Sequence, residues 1–291
     1  MTMNTCARTL LLVLASCALT AGGWAGEPDT LSRKICRTTE RELNVVLSFS
    51  FGTVSVSRGE PEKILTLQGA ASNKPELSMD YAVRNRVGYL DLELGTGGNG
   101  EATSGLSLSQ LDRGKWSLNL TDAVPISFDV ELAASKGDFD LSGLQVRDFN
   151  LSTSASEVTL SFDSPNTSTI ENLNIETGVS TFAGRNLGNA NFRRMRFEGG
   201  VGTYTLDFSG LAEREVDVDA TVGMGTLTII VPLTVGARIF YDENWMSSIN
   251  LQEGWTTTAE NEFSTENYRS AGARMNIRVE SGLGSIKIRR R

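Results

Sequence analysis

The sequence of 291 residues is 40% hydrophobic and 7% aromatic, enough apolar chain to bury a core in one large or two moderate domains. Its 29 glycines and six prolines, with Thr, Ser, Val, Leu and Phe at alternate positions, favour an all-β fold with tight turns. A net charge of -8 argues against a nucleic-acid partner, and the lack of histidine removes the commonest general base and zinc ligand, so we predict no catalytic, cofactor-binding or metal-binding residue.

Residues 1–25 are typical of an export signal, with Arg8, the apolar run "LLLVLASCAL" and small residues up to Ala25. The apolar run is too short to span a bilayer. Two cleavage sites remain open. A bacterial lipobox ending at Cys17 would remove residues 1–16 and leave Cys17 lipidated, whereas ordinary processing would remove residues 1–25. We therefore expect an exported protein of the periplasm or cell surface, with membrane contact only through a lipid anchor.

Residues 40–118 are predicted to form an N-terminal β module, because "VVLSFSFGTVSVS" and "VGYLDLELGTGG" alternate in polarity but do not fit the spacing found further on. The glycine-rich segment 95–105 is predicted to be a flexible loop. No Gly-Lys-Ser/Thr follows it, so it does not indicate a phosphate-binding loop. Cys36 is interpreted as an ordinary residue and not a catalytic thiol, since no histidine is present to activate it.

Residues 119–291 contain a repeat. The segments begin at Leu132, Leu151, Ile175, Phe197, Ala220 and Val279. Each has a small residue at its sixth position: Gly137, Ser156, Ser180, Gly202, Gly225 and Gly284. The first five are separated by 19, 24, 22 and 23 positions. Since an amphipathic strand pair cannot bury its apolar face alone, stacking of successive repeats predicts a parallel, right-handed β-helix (β-solenoid) with rungs of about 22 residues.

In this interpretation alternate side chains point into the core. The inward set in two of the rungs is Phe197, Val201, Tyr204, Leu206, Phe208, Val216, Val218, Val222, Leu227 and Ile229. A meander of hairpins is the structural alternative. It is less favoured, because hairpin turns prefer Asn-Gly or Asp-Gly whereas these segments use Gly-x-Gly or Ser-x-Ser.

A polar excursion interrupts the repeat at about residues 241–270. Solenoid ends need covering, so capping is one interpretation of this segment. The other is a partner-binding loop built on Trp245 and Trp255, because aromatic side chains in a polar loop can stack on sugars or anchor a protein.

Two pairs of aspartates raise the alternative of a carbohydrate-active enzyme. Asp138 and Asp140, or Asp217 and Asp219, would lie about 7 Å apart on one strand face, close to the separation in inverting glycosidases. Alternating acids are also ordinary on a solvated strand. Calcium-binding turns are not indicated, because apolar residues such as Phe182 and Tyr204 occupy the place of the ligand aspartate.

The runs "GLGNANF", "GGVGTYTLDFSG" and "VGMGTLTIIVPLTVGARI" resemble the bacterial toast-rack envelope domain, related to the C-terminal region of LiaF-type proteins and to adhesin-like families. The resemblance spans roughly residues 40–290 and implies a stacked β-coil on an exported protein, with no catalytic residue to carry over. We expect a non-enzymatic scaffold or adhesin-like module that binds an envelope protein, a glycan or a second copy of itself. Modulation of envelope-stress signalling is a further alternative that the resemblance implies.

Overall fold

The computed structural model describes residues 29–71, 75–96, 114–211, 214–242 and 245–291. Over these ranges sixteen strands form one continuous sheet, and the helical structure is a single 3-10 turn at Leu187–Ala190. The strands are β1 (Asp29–Cys36), β2 (Glu42–Arg58), β3 (Lys63–Ala71), β4 (Pro75–Arg84), β5 (Val87–Thr96), β6 (Gly114–Leu120), β7 (Pro125–Asp140), β8 (Gln145–Ser161), β9 (Ile170–Arg185), β10 (Phe192–Asp207), β11 (Glu215–Val231), β12 (Gly236–Asp242), β13 (Ser247–Leu251), β14 (Trp255–Ala259), β15 (Glu262–Thr265) and β16 (Arg274–Arg290).

Seven of these strands, β2, β7 to β11 and β16, are 16 or 17 residues long, and each forms one rung of a solenoid. In β10 the buried positions are odd-numbered from Met195 to Gly199 and even-numbered from Tyr204 onward. The strand therefore changes phase at its middle. We call the first half of each rung arm A, the second half arm B, and their junction the corner. Buried side chains of both arms belong to one core, which lies between them.

The rungs pair in parallel, and the side chains of neighbouring rungs stack. Phe182, Tyr204, Leu227 and Ile286 lie opposite one another on four successive rungs, and all are buried. The repeat segments from Leu151 to Val279 pair in the predicted register. The predicted parallel β-solenoid is thus confirmed.

The register predicted for the first repeat is wrong by two residues. Gly137 lies opposite Val158, and Ser135 is the residue opposite Ser156 at the corner. A Cβ on Gly137 would lie 2.7 Å from the ring of Phe139. This glycine therefore makes room for an aromatic ring inside arm B and does not mark the corner.

Short return loops connect arm B of one rung with arm A of the next. Asn166, in the loop before β9, is 4% exposed and donates from Nδ2 to the carbonyl groups of Val146 (2.6 Å) and Ala190 (3.0 Å). Its Oδ1 accepts a hydrogen bond from the Val146 N–H at 2.9 Å. One buried amide therefore links three successive levels, and its own donor and acceptor atoms are satisfied by backbone groups.

Both ends of the solenoid depart from simple chain order. At the N-terminal end, β5 pairs with arm A of β2 and β6 with arm B, and the antiparallel strands β4, β3 and β1 lie outside them. At the C-terminal end, β16 lies between β11 and the shorter strands β12 and β13. The β14–β15 hairpin covers the free edge of β12.

The proposed division at residues 118/119 and the limits of the 241–270 excursion stay predictions.

Candidate partner-binding surface

Exposed apolar side chains are concentrated at the corner of the solenoid. Eleven large hydrophobic side chains of the described residues are exposed, and six of them lie together. We call these six the corner ridge: Val179, Val201, Met224, Leu283, Met246 and Trp245. Monomeric surfaces normally scatter such residues singly, so a row of them indicates a contact surface.

The pairing register aligns the ridge along the solenoid. Val179 lies opposite Val201, Val201 opposite Met224, and Met224 opposite Leu283. The Met246 carbonyl accepts a hydrogen bond from the Gly284 N–H at 3.3 Å, which brings Met246 to the level next to Leu283. Trp245 precedes it and is 90% exposed. Four successive rungs and the residue before β13 thus contribute one ridge residue each, and Trp245 directly precedes Met246 in the chain.

The corner itself explains why these side chains are exposed. In β10, Val201 is the next odd-numbered position after the buried Gly199, but it lies at the corner, after the inward series of arm A ends and before that of arm B begins. Val201 is 44% exposed, so its predicted inward orientation is wrong. Simple alternation cannot place a residue at a point where the alternation itself shifts.

Glycines beside the ridge allow the rungs to pack closely at the corner. Gly225 has a φ of +128°, and a Cβ there would lie 1.9 Å from the carbonyl oxygen of Gly202. The positions on the arm A side of the ridge are also glycine: Gly178, Gly200, Gly223 and Gly282. A Cβ at Gly200 would lie 2.5 Å from the carbonyl oxygen of Gly178, so these glycines also allow neighbouring rungs to approach closely.

The two flanks of the ridge differ in charge. On the arm A side, neighbouring rungs present Glu176, Glu198, Thr221, Glu280 and Asp242 in register. On the arm B side the corresponding residues are Thr181, Thr203, Thr226, Ser285 and Ser248. We call the first set the acidic column and the second the hydroxyl column. A shallow cavity of about 380 Å³ reaches Glu176 and Glu198 and contains one cation, Arg196, which pairs with Glu198.

The two predicted aromatic site residues have different environments. Trp245 is exposed at the end of the ridge, whereas Trp255 on β14 is half-buried with the Arg290 guanidinium 5.7 Å from its ring centre. Their role in partner binding stays a prediction. Cys17, the predicted lipidation site, and the export signal lie outside the described residues.

The aspartate pairs of the enzyme alternative lie on exposed outer faces. Asp138 and Asp140 are on arm B of β7, and Asp217 and Asp219 are on arm A of β11. The Asp217 carboxylate accepts a hydrogen bond from Asn276 at 3.1 Å. Within the described ranges, no group of three or more Cys, Asp or Glu side chains is arranged to hold a metal ion. Those ranges also contain no helix with the length and apolarity needed to cross a membrane.

Several solved structures are similar to this chain in fold. A candidate cell adhesion protein from Clostridium sporogenes aligns with 91% of this chain and 100% of its own, at 20% identity and a TM-score of 0.47. A candidate adhesin from Bacteroides fragilis covers 89% of this chain and 97% of its own, at 13% identity and a TM-score of 0.39. A third, from Parabacteroides distasonis, covers 89% and 97% at 10% identity, with a TM-score of 0.37. Comparison with curated proteins gives no match.

The fold is a parallel β-solenoid, and the corner ridge is an exposed row of apolar side chains on it. The sequence model for the N-terminal domain of toast_rack, DUF2154, matches residues 25–183, which is more than half of the chain. The protein therefore belongs to this family. The toast-rack resemblance seen in the sequence is confirmed.

Proposed function

We propose that this protein is a non-enzymatic, exported cell-envelope module, similar in role to an adhesin, that holds a protein partner on its corner ridge. The observation that carries the proposal is that six of the eleven exposed large hydrophobic side chains of the described residues lie together, five of them in register along the solenoid. The row is held by strands paired on both sides over most of its length. A surface that is already ordered loses little conformational entropy on binding, so a small apolar ridge can supply useful affinity.

A protein partner fits the ridge better than a glycan does. The five residues from Val179 to Met246 are all branched aliphatic residues or methionine. Four of these side chains are 42–46% exposed, and Val179 is 63% exposed. These side chains pack against apolar protein surface, whereas sugar recognition relies on flat aromatic rings. Trp245 alone offers such a ring on the ridge.

The non-enzymatic part of the proposal is supported by the position of the aspartate pairs. Asp138 with Asp140, and Asp217 with Asp219, are exposed on outer strand faces and do not share an enclosed site. Turnover of a glycan panel that disappears in Asp138→Ala or Asp217→Ala protein would contradict this part of the proposal.

Export and anchoring are tested by mass spectrometry of the mature N-terminus. An acylated Cys17 would define a lipoprotein, and a chain that starts at Gly26 would define a soluble exported protein. Detection of an uncleaved chain in the cytoplasm would contradict export.

The binding role is tested with a ridge variant and a matched control. Val201→Ser combined with Met224→Ser removes apolar groups from the middle of the ridge. Leu233→Ser changes a side chain that is 63% exposed but lies in the turn after β11, away from the ridge. Cross-linking in intact envelopes should yield a protein adduct for wild type and the Leu233 variant and lose it for the double variant. Equal adducts from all three chains would reject the ridge as the binding surface.

A further inference from the structure

We propose that the segment bound at the corner ridge is a basic amphipathic α-helix lying along the solenoid axis. This inference rests on the proposed function and specifies the chemistry of the partner. It follows from two measurable properties of the ridge: the spacing of its side chains and the difference in charge between its flanks.

The spacing of the ridge favours a helix over an extended strand. Neighbouring strands lie about 4.8 Å apart, so the ridge presents one apolar side chain about every 4.8 Å. A helix rises about 5.4 Å per turn and presents one apolar side chain per turn along a stripe, whereas same-face residues of a strand are about 6.8 Å apart. The rise per turn of a helix therefore nearly matches the spacing of the ridge side chains, and the flexible side chains of Met224 and Met246 can absorb the remaining difference.

The length of the ridge sets the length of the helix. Five levels from Val179 to Met246 span about 19 Å, which corresponds to about 13 residues of helix. Trp245 directly precedes Met246 in the chain and is 90% exposed, so its ring is available to contact the end of the helix.

The charge of the flanks determines the polarity of the helix. The acidic column carries four carboxylates over the five ridge levels, and the hydroxyl column carries none. Among the described residues, Glu198 is the one member of the acidic column with an ion-pair partner, Arg196. Adjacent like charges, as in the Glu176–Glu198 and Glu280–Asp242 pairs, destabilise a sheet in isolation. Lys or Arg on one flank of the bound helix would relieve that repulsion.

The same column disfavours an anionic membrane surface, because negatively charged headgroups would meet carboxylates. It also disfavours a second copy of this chain at the ridge. The two columns bring only carboxylates and hydroxyls, so a symmetric contact would provide no cation opposite the acidic column.

The test uses a synthetic leucine–lysine peptide of about 15 residues with its leucines on one helical face. Three further probes are a scrambled peptide of the same composition, a peptide with lysine replaced by glutamate, and vesicles of anionic phospholipid. The full-length protein carries ¹³C-methyl methionine. Met224 and Met246 report on the ridge, and Met195 and Met275, both 0% exposed, report on the core.

We expect the amphipathic basic peptide to shift the Met224 and Met246 methyl signals and to leave those of Met195 and Met275 unchanged. Glu176→Gln combined with Glu198→Gln should weaken its binding about 5-fold at low salt, and added salt should reduce the difference. Asp138→Asn combined with Asp140→Asn removes the same charge from arm B of β7 and should leave binding unchanged. Equal binding of the scrambled or glutamate peptide, a response to vesicles alone, or no effect of the Glu176/Glu198 change would overturn the proposal.

The two proposals fail in distinguishable ways. Loss of the natural cross-linked partner in the Val201/Met224 variant, together with failure of the basic peptide, would retain the ridge as a binding surface and reject the basic helix. Retention of the natural partner in that variant would reject the proposed function itself.

Discussion

A side chain at Gly225 would place its Cβ 1.9 Å from the carbonyl oxygen of Gly202 in the preceding rung. No rotamer change relieves this contact, since both atoms belong to the backbone framework. The backbone of Gly225 also has a φ of +128°, which residues with a side chain rarely adopt. We expect Gly225→Ala to lower the free energy of unfolding by about 3 kcal/mol or more, measured by denaturant titration.

Gly254 provides the control for that substitution. Its φ is +98°, but no atom of the described part of the chain lies within 4 Å of its Cβ position. Gly254→Ala should cost only about 1 kcal/mol, because it retains the backbone strain without the clash. Equal losses in the two variants would show that close rung packing does not constrain the corner.

Asn166 is expected to be the most sensitive polar residue of the return loops. Asn166→Ala leaves the Val146 N–H and the carbonyl groups of Val146 and Ala190 without their buried partner. Thermal or chemical denaturation should show a loss of about 2–4 kcal/mol. Asn174→Ala removes one exposed side-chain hydrogen bond to Asn150 and should cost no more than about 0.5 kcal/mol. A mild effect at Asn166 would mean that water replaces its side chain.

The register of most rungs was predictable from sequence because rungs of similar length place equivalent small residues at a nearly constant spacing. The pairs Ser156–Ser180 and Gly202–Gly225 follow from this pattern alone. The corner ridge was not predictable in the same way. Val201 stands where the inward phase shifts, and the order of β16 before β12 depends on long-range pairing that no local pattern encodes. The apolar residue inside each Gly-x-Gly or Gly-x-Ser corner is the signal that could have revealed it.

Loss of the Tyr204 hydroxyl is expected to stabilise the protein. The Tyr204 ring packs against Phe197 with centroids 5.2 Å apart, and its buried hydroxyl has no hydrogen-bond partner among the described residues. Because an unsatisfied buried hydroxyl is unfavourable, Tyr204→Phe should raise the free energy of unfolding by about 1 kcal/mol. A lower melting temperature would show instead that the hydroxyl is bound in solution.

The contact between Glu40 and Tyr81 predicts a pH dependence of stability. Glu40 is 2% exposed and accepts hydrogen bonds from the Tyr81 hydroxyl at 2.5 Å and from the Thr38 backbone N–H at 2.5 Å. Burial by itself raises the pKa of the Glu40 carboxyl, but these hydrogen bonds together bring the pKa below its usual value. The pKa of Tyr81 is raised well above its usual value, chiefly by burial and secondly by the hydrogen bond to Glu40.

The sign of each effect follows from linkage. The lowered pKa of Glu40 stabilises the fold at pH values above its unfolded-state pKa of about 4.3. This stabilisation is lost as the pH falls through the pKa of Glu40 in the folded state. The raised pKa of Tyr81 stabilises the fold fully below about pH 10. This stabilisation is lost as the pH rises through the pKa of Tyr81 in the folded state. Tyr81→Phe should therefore be most destabilising between about pH 5 and pH 9, with a smaller difference from wild type outside that window. Urea titrations across pH check this, with Tyr89→Phe, at 43% exposure, as the control. A difference that does not change with pH would contradict the assignment.

The stacking that builds the corner ridge is tested most directly by cysteine pairs along it, in a chain that starts at Gly26 and carries Cys36→Ser. Val201 and Met224 are register partners, so Val201→Cys with Met224→Cys should oxidise to an intramolecular disulfide across about 4.8 Å. Val201→Cys with Leu283→Cys spans two rungs, about 10 Å, and should remain reduced. Formation of the second disulfide, or absence of the first, would contradict a ridge built from one residue per parallel rung.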